Sequence, residues 1–211
     1  MNKPRGIFVT GTDTGVGKTY VTALLTRSLR GAGLDTVALK PLCSGDRRDA
    51  EILRAAAGNE LSIDEVNPHW FQAPVAPLVA ARLEGRRVSL AALTEWFETA
   101  SAGRASVLVE GAGGWLTPLM EQAGAADLCA ELGLPVIVVV ANRLGCVNHT
   151  LLTLESIRSR GLTCQGIILN SLPSPPDAAA PTNRALLEEL AGAPILLEVG
   201  CGQRSLPFAL A

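Results

Sequence analysis

Ile7-Phe8-Val9-Thr10-Gly11-Thr12-Asp13-Thr14-Gly15-Val16-Gly17-Lys18-Thr19 passes from an apolar run through a glycine-rich turn into Lys-Thr. Just beyond it, Val21, Leu24, Leu25, Ser28 and Leu29 recur at the spacing of one helix face, and Gly31 and Gly33 stop the pattern. Strand, glycine-rich turn, Lys-Thr and helix in that order are the context a phosphate-binding loop requires. The glycines let the backbone approach an anion, successive N–H groups form a nest, and the helix N-terminus adds partial positive charge. Lys18 is placed to reach terminal phosphates, and the Thr19 hydroxyl to ligate Mg2+.

The strict spacing G-x-x-x-x-G-K-[ST] would put its first glycine at position 12, which is Thr12, whereas Gly11 lies one residue earlier. That spacing points to the deviant branch of phosphate-loop proteins, which includes partition ATPases and certain ATP-dependent synthetases. Members of the branch often carry an additional lysine early in the loop. Asp13 stands in that place, so a second cation is expected from elsewhere, and no arginine lies beside the loop in sequence.

Outward from the loop, short apolar runs alternate with helical-period segments, the signature of a parallel sheet covered by helices on both faces. Strands are expected at Ile7 to Val9, Thr36 to Leu39, Ser106 to Val109, Val136 to Val140, Ile167 to Leu169 and near Ile195. Helices are expected at Asp49 to Ala57, Val75 to Leu83, Leu90 to Ala100, Leu151 to Arg160 and Ala185 to Leu190. Val136 to Val140 is the most apolar strand and is expected at the centre. The Pro- and Ala-rich stretch Leu172 to Pro181 is linker-like but too short to separate domains. The expected fold is therefore one α/β domain over residues 1–211, a doubly wound, mostly parallel sheet of P-loop NTPase-like architecture with ligands at the carboxyl ends of the strands.

Composition narrows the class of function. The 211 residues are 48% hydrophobic and 18% charged, with net charge −2 and no run of like charge, which argues against disorder and against a stripe that binds nucleic acid. The longest apolar run, Leu134 to Ala141, is far short of the ~20 residues of a spanning helix, so a soluble cytoplasmic protein with no membrane partner is expected. The five cysteines (43, 129, 146, 164 and 201) are widely spaced without a C-x-x-C pair, so buried thiols are expected, and two histidines exclude a His-rich metal site.

Two further strand ends carry chemistry. Lys40 closes the second strand before Pro41 and Ser44-Gly45, in a chain with three lysines and fifteen arginines. Ser106-Val107-Leu108-Val109-Glu110 ends an apolar strand in a carboxylate, the arrangement that sets an acid beside Mg2+ in phosphoryl transfer, and Gly111-Ala112-Gly113-Gly114 follows. A second metal acid is available at Asp46 or Asp49, and spacing alone does not choose between them.

Together these residues resemble the dethiobiotin synthetase family. The matching stretches are G-T-D-T-G-V-G-K-T at Gly11 to Thr19, K-P-L-C-S-G at Lys40 to Gly45, Asn67-Pro68, P-x-x-P at Pro74 to Pro77, V-E-G-A-G-G-W-L-T-P at Val109 to Pro118 and L-G-C-V-N-H-T at Leu144 to Thr150. They run in order over roughly the first three-quarters of the chain. The resemblance implies an ATP- and Mg2+-dependent reaction in which 7,8-diaminopelargonic acid captures CO2 as a carbamate. ATP phosphorylates the carbamate, and the neighbouring amine closes a cyclic urea.

On this resemblance Lys18 and Lys40 are the catalytic cations, and Thr19, Asp49 and Glu110 the Mg2+ ligands. Nucleotide contacts fall on Thr14, Gly15, Val16, Gly17, Lys18, Thr19 and Tyr20, on Asp49, on Glu110, Gly111 and Gly113, and on Asn170 against the adenine. Substrate contacts fall on Thr14, Ser44 and Pro74, and on Gly145, Cys146, Val147 and Asn148 contributed by the partner subunit of a homodimer, whose helix N-terminus would take the substrate carboxylate. The chain departs from the family after Pro176, where Pro181-Thr182-Asn183 replaces an expected tyrosine, and at Val199-Gly200-Cys201-Gly202, which lacks the usual proline. The rival classes are a partition-type ATPase switch and a non-enzymatic nucleotide-binding subunit. The first would call for the extra loop lysine and a basic DNA-facing surface, and the sequence has neither.

Overall fold

The computed structural model describes residues 5–173 and 177–206. In chain order it has β1 (Arg5–Gly11), α1 (Lys18–Gly31), β2 (Thr36–Leu39), β3 (Leu42–Ser44), α2 (Arg48–Ala56), α3 (Ile63–Val66), β4 (His69–Phe71), α4 (Pro77–Leu83) and α5 (Leu90–Ser101). Then come β5 (Ser106–Glu110), β6 (Pro118–Met120), β7 (Ala123–Gly124), α6 (Ala125–Leu132), β8 (Val136–Ala141), α7 (Cys146–Ser159), β9 (Cys164–Asn170), α8 (Ala180–Leu190) and β10 (Ile195–Val199).

The main sheet has six strands in the order β10-β9-β8-β1-β5-β2, all pairs parallel. Alternation along each strand splits the core in two. On one face Val9, Ala38, Leu108, Ile137 and Ile168 meet Leu24, Leu25 and Leu29 of α1 and Leu53 of α2. On the other, Phe8, Val37, Val107, Val138 and Ile167 meet Leu93 and Phe97 of α5, Leu128 of α6, Leu154 and Ile157 of α7, and Leu187 of α8. Burial on both faces is why the strands read as continuous apolar runs. The expected doubly wound sheet is present, and β8 lies beside β1 at its centre, fully buried along its length.

The chain reverses direction across the sheet after β1. β1 leads by α1 to the edge strand β2, the chain returns to place β5 between them, and β8, β9 and β10 then follow on the far side of β1. Such a switch point opens a crevice at the carboxyl ends of the strands. Register brings the relevant ends level: Val9 pairs with Glu110, and Leu39 with Val109, so Lys40 and Glu110 follow side by side.

Several local details differ from the sequence expectation. The last helix begins at Ala180 and not at Ala185, since Pro181 sits in its first turn, where a missing N–H costs nothing. The linker-like stretch therefore ends in helix, and positions 174–176 within it lie outside the described residues. α6 was not foreseen; its eight residues are short for a periodicity signal, and its start is fixed by the Gly124 N–H donating to Asp127 Oδ2 at 2.8 Å. Cys43, Cys129 and Cys146 are buried as expected, whereas Cys201 is exposed in the turn after β10. Among the described residues no helix is long and apolar enough to cross a membrane.

Candidate active site

The loop after β1 turns through left-handed glycines. Gly15 has φ 68° and Gly17 φ 89°, a region where a Cβ is disfavoured, and Gly17 caps α1. Gly17 is constrained a second way, because a Cβ there would stand 2.1 Å from Asn170 Nδ2. That amide donates to the Val16 carbonyl at 2.9 Å, tying the end of β9 to the loop. Asn170 is 2% exposed and its Oδ1 has no partner. Its amide nitrogen holds the loop, while Oδ1 is left unpartnered.

Lys18 folds back over the loop, and its Nζ donates to the Asp13 carbonyl at 3.1 Å. Burial, reinforced by the nearby Lys40 cation, lowers its pKa to about 8. An arriving phosphate would oppose both effects.

Lys40 lies at the centre of the cluster. Its Nζ donates to Glu110 Oε1 at 2.5 Å, to Asp49 Oδ2 at 3.0 Å and to the Gly111 carbonyl at 3.4 Å. Burial alone would lower its pKa, but the Glu110 and Asp49 carboxylates outweigh that and raise it, so the side chain is a permanent cation. Burial opposes the ionised form of Asp49 also, yet Lys40, Thr19 and Lys18 hold its pKa below the usual carboxylate range. Thr19 Oγ1 donates to Glu110 Oε1 at 2.8 Å. Glu110 is 0% exposed, and its second oxygen, Oε2, has no hydrogen-bond partner. Of the two acids left open by spacing, Asp49 joins this cluster, while Asp46 Oδ1 accepts from the Arg48 N–H at 3.1 Å ahead of α2.

The strand end carrying Lys40 is held from behind by a residue with no role evident in the sequence. Asn67, fully buried, donates from Nδ2 to the Lys40 carbonyl at 2.7 Å, and its Oδ1 accepts from Arg47 Nε at 3.0 Å. Ser44 Oγ is buried without a partner. Gly45 adopts φ 86°, and a Cβ there would lie 3.1 Å from Pro74 Cβ, so Ser44 and Pro74, far apart in sequence, belong to one wall.

A cavity of about 500 Å3 opens at the loop, lined by Thr14, Gly15, Gly17, Lys18, Thr19, Tyr20, Lys40, Asp49 and Gly113, with Ala23, Arg27 and Ile52 added from the α1–α2 groove. Ala23 and Arg27 follow Tyr20 on one face of α1, whereas Ile52 was invisible in sequence because nothing but tertiary packing brings α2 alongside α1. Tyr20 also reaches the far side, where its hydroxyl lies 2.5 Å from the Gln203 carbonyl and 3.2 Å from that of Gly200. Gly145, Cys146, Val147 and Asn148 form the N-terminal turn of α7, outside the lining of this cavity. A further unforeseen residue, Arg143, is beside the loop in space: its Nη2 is 3.9 Å from Asp13 Oδ2.

A glycine-rich loop on a central parallel strand, with a buried lysine and a buried acid on nearby strand ends, defines a nucleotide-binding phosphate-loop domain. Accordingly, a family model described as AAA domain matches residues 5–201. Among solved structures the chain resembles the septum site-determining protein MinD complexed with Mg-ADP from Pyrococcus horikoshii OT3, at TM-score 0.62 and 17% identity over 93% of this chain and 81% of that one. It also resembles a ParA family ATPase from Chlorobium tepidum TLS, at TM-score 0.60 and 13% identity over 94% and 85%. At such identities the likeness speaks for the fold.

Sequence relatives are more specific. The chain is 45% identical over 199 residues to the ATP-dependent dethiobiotin synthetase BioD of Akkermansia muciniphila, covering 94% of this chain and 93% of that protein. It is 50% identical over 190 residues to the protein of the same name from Anaeromyxobacter dehalogenans, covering 88% and 85%. The chain belongs to the dethiobiotin synthetase family.

Proposed function

We propose that the protein is an ATP-dependent ligase that makes dethiobiotin from 7,8-diaminopelargonic acid, CO2 and ATP, acting in the cytoplasm in biotin synthesis. The observation that carries the reading is the convergence of Lys18, Thr19, Lys40, Asp49 and Glu110 around one phosphate loop. Both the carbamate and the transferring phosphoryl group are anions. Catalysis is then mainly positioning and charge clamping.

One amine of the substrate adds to CO2 and loses a proton, giving the carbamate. A carbamate oxygen attacks the γ-phosphorus of ATP, and ADP departs. The second amine then attacks the carbamic carbon, loses its proton and expels phosphate, closing the cyclic urea. Ser44 Oγ, buried and unpartnered, is the hydrogen-bonding group for the carbamate. Lys18 follows the phosphates. All three Lys40 N–H bonds are engaged in this structure, so its turn toward the carbamate requires giving up the longest of them, the 3.4 Å contact to Gly111.

Thr19, Asp49 and Glu110 fit Mg2+: they are hard oxygen donors in one cluster, and the buried Glu110 Oε2 is left without a partner. When bound, the ion would neutralise charge on the phosphate oxygens.

The substrate carboxylate is assigned to the Gly145 to Asn148 turn of a second subunit. A homodimer is supported by exposed leucines where α7 opens and along it, Leu144 at 78% and Leu152 at 57%. The test of the activity is ATP turnover with the diamine and bicarbonate, each omitted in turn. Product formation that needs all three is expected; slow ATP hydrolysis indifferent to the diamine would instead indicate a nucleotide switch.

A further inference from the structure

Asp13 occupies the place where related loops often carry a second lysine, and the folded chain sets a cation against it. Arg143 follows β8, and its Nη2 is 3.9 Å from Asp13 Oδ2, within ion-pair range but beyond a hydrogen bond. The other oxygen, Asp13 Oδ1, accepts from the Thr14 N–H at 2.7 Å. The Asp13 carbonyl meanwhile accepts from Lys18 Nζ. One cation from the start of α1 and one from beyond the end of β8 therefore meet at one residue of the loop.

The backbone of Arg143 is fixed while its side chain is not. Its carbonyl accepts from the Cys146 N–H at 3.1 Å and from Asn183 Nδ2 at 3.3 Å, and the buried Asn183 also donates to Asn142 Oδ1 at 2.9 Å. The guanidinium end is about half exposed, 53%, and faces a carboxylate equally exposed at 51%. An exposed pair of that kind is weak and easily exchanged. At 3.9 Å the guanidinium makes no hydrogen bond to Asp13, whereas a phosphate placed at the loop can accept two parallel ones from it.

We propose that Arg143 is the second cation of the site: it leaves Asp13 when ATP binds and pairs with the terminal phosphate, which ADP lacks. The inference rests on the reading of the loop as the ATP site. Asp13 serves as the placeholder that keeps the guanidinium at the loop.

The experiment measures ATP and ADP dissociation constants for the full chain with wild type, Arg143→Ala and Arg143→Lys, with Mg2+ present. Loss of a charge-assisted pair should weaken ATP about tenfold in Arg143→Ala. ADP binding should stay within about twofold, which also reports an intact fold, and Arg143→Lys should fall between. Equal weakening of both nucleotides, or of neither, overturns the proposal. A rise confined to the KM for the diamine substrate overturns it too, because the guanidinium would then serve the substrate carboxylate. Failure of the wild type to bind either nucleotide would strike the reading of the loop itself and the proposal with it.

Discussion

Asn170 Nδ2 occupies the space that a side chain on Gly17 would need, 2.1 Å from where its Cβ would lie. The two positions are 153 residues apart in sequence. Their contact locks the phosphate loop to the end of β9 through the bond to the Val16 carbonyl. The loop's shape is thereby set by the sheet as well as by its own glycines.

Gly17→Ala should therefore lose nucleotide binding and stability together. The left-handed φ alone costs roughly 1–2 kcal/mol for a residue with a Cβ, and displacement of Asn170 adds to it. Adding Asn170→Ala removes the collision but not the backbone strain. By thermal melting the double variant should lie above the sum of the two single losses; strict additivity would show that the two residues do not compete for that space.

Lys40 and Glu110 form a buried pair whose halves depend on each other. Lys40→Gln leaves Glu110 with its charge uncompensated except through Thr19, a change that typically costs about 3–5 kcal/mol. Changing both, Lys40→Gln with Glu110→Gln, should regain part of that stability while activity stays absent. Denaturant unfolding beside a turnover assay separates the effects. Activity in either variant would remove Lys40 from the catalytic group.

Lys18 gives a pH signature. Its pKa is about 8 in the folded protein against an ordinary 10.5. Below pH 8 both folded and unfolded chains hold the proton, and the folded state bears the full cost of the buried cation. Between those values only the unfolded chain keeps it, so stability rises with pH by up to about 1.4 kcal/mol per unit. Lys18→Met should be more stable than wild type at pH 7, and the gap should close above pH 8. Because phosphate favours the charged form, wild-type ATP affinity should fall toward tenfold per unit above pH 8, with proton uptake seen by calorimetry in two buffers.

Much of this was legible before folding. The loop, Lys40 and Glu110 could be found because strand ends announce themselves: an apolar run stops at a polar residue. All six main-sheet strands were expected where they occur, β8 beside the centre. The contacts made by packing were not legible. Asn67 behind Lys40, Ile52 along the cavity, and Arg143 at Asp13 are brought in by elements distant in sequence, with no spacing to betray them. Asp46 and Asp49 look alike in sequence. They part only because the first turn of α2 carries Asp49 toward Lys40 while Asp46 accepts from the helix's opening N–H.

That divergence makes a metal test. Asp49→Asn should raise the Mg2+ concentration needed for half-maximal turnover at least tenfold, as expected when one of few charged oxygen ligands is neutralised. Asp46→Asn should leave it within about twofold, since an asparagine oxygen can still accept from the Arg48 N–H. Removal of Mg2+ by a chelator should abolish turnover in both. The reverse ranking of the two variants would move the ligand assignment to Asp46.

The last expectation concerns the assembly. Leu144 is 78% exposed, and its N–H donates to Asp177 Oδ2 at 2.7 Å, so the turn that opens α7 already holds a carboxylate of its own chain while its leucine projects outward. An exposed leucine beside an anion-accepting turn suits a surface that completes a neighbour's site. If each site joins one subunit's loop to the other's turn, two defects on different subunits should complement. Lys18→Ala disables one contribution, and Asn148→Ala with Gly145→Pro the other. Alone, each homodimer should be close to inactive. Mixed and re-equilibrated in equal amounts, half of the dimers are heterodimers, each with one site of two wild-type halves and one doubly defective. About a quarter of wild-type activity should therefore return. No recovery, with subunit exchange verified by mass, would show that each site is built from a single chain, and full activity in a monomer by sedimentation would show the same.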